Sequence, residues 1–179
     1  QQEHDADMMG KIKGAMVYPA IVLVVIIGAI VFMLLTVVPQ VEQLYTDLIL
    51  EYNKDKTNKR KIENPTVHEH GHNPSCGDEI QLKLKTDGDI ITDGAFVGDG
   101  CAISQASTDI MLGMIIGQSK EKALEYADIF MRMIRGEASD EEIDSLEEAS
   151  ALRDISHMPA RVKCAMLGWR TLSEALKGK

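Results

Sequence analysis

Residues 80–97 read IQLKLKTDGDIITDGAFV, and their pattern decides the fold class. Ile80, Leu82 and Leu84 alternate with Gln81, Lys83 and Lys85, the period-two signature of a strand with one buried face. Asp87-Gly88 is a hairpin turn dipeptide, so residues 89–97 are expected to return as a second strand. A weaker strand signal precedes them over 66–70. Downstream of the hairpin the pattern turns helical. A helix is expected over 101–116, entered through the glycines of GDG at 98–100. Another begins at Ser119 and is stopped by Gly136. Ser139-Asp-Glu-Glu resembles a helix start, with acids in the first turn where the dipole favours them. Pro159 punctuates, and residues 161–176 form a last helix ended by Gly178. The fold class is therefore α+β, a small antiparallel sheet packed with several helices.

Upstream, the composition changes abruptly. Residues 14–39 contain no charged side chain, and 20–38 read AIVLVVIIGAIVFMLLTVV. As a helix, residues 15–38 would extend about 36 Å at 1.5 Å per residue, enough to cross a bilayer core of about 30 Å. One N-terminal transmembrane helix over 14–40, behind a polar lead over 1–13, is the expectation. Residues 42–54 then place Leu44, Tyr45, Leu48, Ile49 and Tyr52 on one helical face.

The net charge of −9, without a basic stripe bearing interleaved aromatics, excludes nucleic acid as the expected partner. Lys54, Lys56, Lys59, Arg60 and Lys61 form the one basic cluster, a solvated loop or, alternatively, a docking patch for protein or lipid headgroups. His68, His70 and His72 alternate in HEHGH and are read as strand-edge histidines, with an accessory metal site as the sharper alternative. Trp169, the single tryptophan, is expected in the core, and the small residues from Ser104 to Ser107 in close helix packing.

The three cysteines, Cys76, Cys101 and Cys164, make a poor disulfide framework. With a carboxylate they make a chemically sensible four-ligand site. Cys76 and Asp78 flank Gly77, whose conformational freedom lets a thiolate and a carboxylate face one point. Cys101 stands at a helix start, where the dipole and free N–H groups favour a thiolate. Cys164 lies beside Arg161 and Lys163. Such an S3O set suits zinc, and would also hold iron or anchor a transient cluster. Spacing alone leaves ordinary buried cysteines and redox-sensing thiols open as alternatives.

Four segments carry a more specific likeness: LYTDLILEYNKDKTNKRKI (44–62), NPSCGDEIQLKL (73–84), FVGDGCAISQASTDIM (96–111) and ISHMPARVKCAMLGWRTLSEAL (155–176). In this order they resemble the U-type (NifU/IscU-like) iron–sulfur cluster assembly proteins of the SUF system, over about 44–179. The resemblance implies an α+β fold and zinc held by Cys76, Asp78, Cys101 and Cys164. It implies that Cys76 accepts persulfide sulfur from a cysteine desulfurase, and that downstream iron–sulfur assembly proteins are further partners. The related scaffold branch carries His before the last cysteine. This chain has Lys163 there and a long segment, 118–157, between its second and third cysteines, which points to the zinc-bound sulfur-transfer branch. Arg161 and Lys163 are auxiliary candidates for stabilising negative sulfur. A zinc hydrolase is disfavoured, because Asp78 fills the fourth ligand place.

KIKGAMVYPAIVLVVIIGAIVFMLLTVVPQVEQLY (11–45) resembles something else: the first membrane segment of the F-type platform proteins of type II secretion and type IV pilus systems. Two sequences therefore meet near 41–50, giving an assembly domain over 41–179. A membrane-anchored sulfur carrier, a gene rearrangement and a sequence-assembly error compete as origins, the last two preferred together. A fragment of a platform protein is the alternative function. Lys11 and Lys13 before the apolar run, and Glu42, Asp47 and Glu51 after it, would place the cysteines outside the cytoplasm, whereas the later basic cluster counts the other way. Thiol and metal–sulfur chemistry needs a reducing compartment, so the cysteine domain is expected in the cytoplasm.

Overall fold

The structure is a computed structural model that describes residues 18–19, 21–32, 35, 49–52, 54 and 57–178. The chain forms two contact units, Gln1–Leu44 and Tyr45–Lys179. In the first, residues 21–32 are helical and exposed. Among the described residues no helix is long and apolar enough to cross a membrane, so the transmembrane helix expected over 14–40 is not supported. The rest of that span, and the polar lead over 1–13, lie outside the described residues. So does most of the helix expected over 42–54, of which 49–52 and 54 are helical.

In the second unit, three strands form an antiparallel meander in the order β1-β2-β3. They are β1 (Val67–Asn73), β2 (Asp78–Asp87) and β3 (Ile90–Val97). Asp78, Ile80, Leu82 and Leu84 face inward along β2 while Glu79 and Gln81 are exposed, as the alternation requires. The β2–β3 loop is Gly88-Asp89, one residue later than expected, closed by the Asp87–Ile90 pair. Gly88 has a φ of 58°, so glycine supplies the left-handed residue the turn needs. The register also shifts between Lys85 and Thr86.

After the sheet come five α-helices: α1 (Ala102–Ile115), α2 (Lys120–Arg135), α3 (Asp140–Asp144), α4 (Pro159–Ala165) and α5 (Leu167–Lys177), with a 3-10 stretch, Glu147–His157, before α4. Ser119 caps α2 through Lys122 N–H, and Gly136 ends it. Ser139 opens α3 with a full capping box to Glu142. That helix is short. The Ser145 and Ser150 hydroxyls donate to carbonyls three residues back (Glu142 and Glu147, 2.6 Å each), competing with α-helical pairing. The single last helix expected over 161–176 is instead two, interrupted at Met166. Backbone bonds run through the interruption, from Met166 N–H to Val162 O and from Arg170 N–H to Met166 O.

Helix α5 packs on β1 and β2, α1 on β3, and α2 and the 3-10 stretch cover the helices from behind. Ile80, Leu82, Ile91 and Phe96 from the sheet meet Ile110, Met111, Phe130 and Leu172 in one core. Trp169 is fully buried in it, as expected, stacked on Phe130 with ring centroids 4.3 Å apart. Its indole N–H donates to the Ser107 hydroxyl, which donates to Ala165 O, tying α1 to α4 and α5. The basic loop is anchored as well: Arg60 pairs with Asp93 at 2.6 Å and Lys59 with Gln105.

Candidate metal centre

The β1–β2 turn, residues 74–77, builds half of the centre. Asn73 organises it. Its carbonyl accepts from the N–H groups of Cys76 and Gly77 (3.3 and 2.9 Å), and its side-chain oxygen accepts from Ser75 N–H (3.1 Å). Gly77, at a φ of 75°, lets the chain reverse between Cys76 and Asp78. Cys76 is left exposed, while Asp78, the first residue of β2, is buried at 5 % exposure.

The other half comes from the start of α1 and the last turn of α4. Cys101 is the N-cap of α1, and its sulfur accepts from Ser104 N–H at 3.4 Å. Its own N–H donates to Asp78 Oδ1 at 3.2 Å. A Cβ on Gly100 would lie 2.5 Å from the Ser104 hydroxyl and 3.3 Å from the Asp78 carboxyl carbon, so a side chain here would have to displace that hydroxyl and press on Asp78. Cys164, buried on α4, directs its sulfur at Cys76 Sγ, 3.5 Å away. Cys76, Asp78 and Cys164 offer ligand atoms all within 4.8 Å of one another. Cys101 lies outside that tight group but touches it through Asp78.

The donor set fits zinc. Two thiolates on one tetrahedral zinc lie about 3.8 Å apart at Zn–S distances near 2.3 Å, close to the separation seen here. Asp78 Oδ2 is buried with no hydrogen-bond partner among the described residues, an orphan that a cation would satisfy. Burial works to raise the Asp78 carboxyl, but the Ser104, Cys76 and Cys101 groups outweigh it, and its pKa falls below the usual carboxylate value. Cys164 moves the other way: burial, then the Cys76 and Cys101 thiols, raise its pKa well above that of an ordinary thiol. A bound cation reverses that logic, since it favours the thiolate outright.

Of the auxiliary candidates, Lys163 reaches the turn, donating to the Ser75 hydroxyl at 2.9 Å. Arg161 is exposed at the start of α4, and among the described residues no contact joins its guanidinium to the thiols. Sequence reasoning missed Asn73. Its amide donates to Cys76 Sγ at 2.9 Å and approaches Cys164 Sγ at 3.9 Å. The signal available was an Asn-Pro-Ser turn directly before Cys76. A groove of about 450 Å³ opens beside the centre, lined by Asn73, Ser75, Lys163, Arg170, Thr171 and Glu174 among others.

Comparison with known proteins agrees with this architecture. The NifU-like N terminal domain family matches residues 44–178. The iron–sulfur cluster assembly scaffold protein IscU of Thermotoga maritima is 43% identical over 136 residues, covering 76% of this chain and 94% of the relative. The zinc-dependent sulfurtransferase SufU of Bacillus subtilis is 40% identical over 135 residues, covering 75% and 90%. A crystal structure of a candidate SUF-system iron–sulfur assembly scaffold from Fervidobacterium islandicum AW-1 superposes with a TM-score of 0.69 at 45% identity, covering 72% of this chain and 93% of that one. The match begins where the apolar segment has already ended, so it lends nothing to the platform-protein reading of 11–45. From residue 44 onward, the chain belongs to the NifU-like N-terminal domain family.

Proposed function

We propose that this chain is an iron–sulfur cluster assembly protein whose domain, over about 41–179, acts as a zinc-dependent sulfur acceptor for a cysteine desulfurase. The observation that carries the reading is the asymmetry of the centre. Cys76 is exposed, while the sulfur it touches, Cys164, and the carboxylate beside it, Asp78, are buried. One thiol can therefore meet a partner while Cys164 stays inside and Cys101 is half-covered. Cys76, Asp78, Cys101 and Cys164 are the proposed ligands. Zinc, when bound, keeps its thiolate ligands deprotonated at neutral pH.

The chain's own residues then set up the transfer. Asn73 holds the Cys76 sulfur through its amide, and Lys163 brings a positive charge to the same turn. The Cys76 thiolate attacks the outer sulfur of the desulfurase persulfide. A bond forms between Cys76 Sγ and that sulfur, the enzyme's S–S bond breaks, and the enzyme cysteine leaves as a thiolate. Cys76 ends as the persulfide, with no external oxidant consumed. The groove beside the centre offers room for the segment carrying the donor cysteine.

In a desulfurase assay reading released sulfide, Cys76→Ser is expected to abolish stimulation while its circular dichroism matches wild type. Full stimulation by that variant would refute the assignment. The similarity to a protein named a scaffold also favours a second reading, transient cluster binding on the same ligands. Anaerobic reconstitution with iron and sulfide, followed by visible absorbance, separates the two. Membrane anchoring through 14–40 has no support in the described helices and is not carried forward.

A further inference from the structure

Strand alternation that sends Asp78 inward sends Glu79 outward, and the register of β1 on β2 sets Glu79 directly opposite His72. His70, two residues earlier on β1, shares that exposed face. Both imidazoles converge on the one carboxylate: His72 Nδ1 lies 3.5 Å from Glu79 Oε1, and His70 Nε2 lies 3.8 Å from Oε2. These separations are long for hydrogen bonds. They are close to the spacing of two donors around a tetrahedral cation, about 3.3–3.5 Å for metal–nitrogen and metal–oxygen bonds of about 2.0–2.2 Å. All three side chains are about half exposed, and since their donor atoms do not all lie within 4.8 Å of one another, an ion there requires the two imidazoles to rotate toward each other. Gln81, opposite His70, adds an exposed amide to the same face.

We propose that His70, His72 and Glu79 form a second, surface cation site, distinct from the cysteine centre, for a divalent transition metal of the imidazole-binding class such as zinc. Two nitrogens and one oxygen suit that class, and neither thiol nor calcium-type all-oxygen ligation is involved. Water fills the remaining positions, so the ion exchanges freely. The site bridges the edge strand β1 to β2, and an ion there clamps the two strands that hold the Cys76 turn between them. It does not depend on the sulfur-transfer reading.

The test uses the full chain without an affinity tag, already carrying one equivalent of zinc. Further zinc is titrated against a chromogenic competitor. A second equivalent is expected, and His70→Ala or His72→Ala should weaken it by about ten- to a hundredfold, in the range seen for perturbed metal shells. His157→Ala, on the remote 3-10 stretch, should leave it unchanged. Retention of the first equivalent and of the circular dichroism spectrum shows that each variant is folded. Histidine side-chain NMR should show the two β1 imidazoles moving with the second equivalent only. Absence of a second equivalent, or one indifferent to both histidine variants, overturns the assignment.

Discussion

Asn73→Ala removes one buried amide and leaves every proposed ligand in place. The amide donates to Cys76 Sγ at 2.9 Å, and its oxygen accepts Ser75 N–H at 3.1 Å. The first is a hydrogen bond to a group that is anionic when metal is bound, worth about 1.5–3 kcal/mol. The second is a neutral bond in a turn, about 1 kcal/mol, and Ser75 N–H regains water when it is lost. The metal-free fold should therefore weaken by about 1 kcal/mol, because the thiol–amide contact counts fully only once the sulfur is charged. Zinc affinity should fall by about ten- to a hundredfold, the usual consequence of losing a partner behind a ligand. That factor corresponds to about 1.4–2.8 kcal/mol, which matches the value of one charge-assisted hydrogen bond. Zinc competition with a chromogenic chelator reads the affinity, and denaturant midpoints of the metal-free chain read the stability. Asn73→Asp would add a negative charge beside the thiolates, so Ala is the cleaner probe. Wild-type zinc affinity in Asn73→Ala, with the turn intact, would refute the role assigned to this amide.

Trp169→Ala removes a fully buried ring, its stacking on Phe130 and its bond to Ser107, and should cost about 3–5 kcal/mol by chemical denaturation. A loss below about 1 kcal/mol would mean that the helical layer does not depend on it. The Glu142 carboxylate accepts two bonds from Arg132, at 2.8 and 2.6 Å, which lower its pKa from 4.5 to about 2. A carboxyl depressed by folding contributes stability that is full above its unfolded value and lost as pH falls through its folded one. Wild type should therefore be more stable than Glu142→Gln at neutral pH, with the gap closing between pH 4.5 and about 2. Parallel thermal melts that keep a constant gap across that window would contradict the pairing.

Much of the fold was legible because side-chain periodicity and caps are local. The alternation of Ile80, Leu82 and Leu84 located β2, and read two residues upstream it also shows why Asp78 points inward. Ser119 and Gly136 bounded α2 to the residue. Strand β1 was weak for a physical reason: its inward residues near the site are Gly71 and Asn73, so no apolar alternation marks it. The 3-10 stretch goes with serine hydroxyls that bond carbonyls three residues back, a competition the acidic helix start over 139–142 does not announce, and the interruption at Met166 has no marker in the local pattern. All four proposed ligands could be named from the sequence, and three of them gather within a tight radius; the Asn73 amide had a local signal in its turn, whereas the orphaned Asp78 oxygen emerges only from tertiary contacts.

The proposed ligands come from three distant stations along the chain: a hairpin turn, the cap of α1 and the last turn of α4. No partly formed intermediate, and no fragment cut before Pro159, brings all of them together. With the proposed ligand set, occupancy by an ion would serve as a certificate that the sheet, α1 and α4 have come together, which a copy truncated ahead of α4 could not obtain.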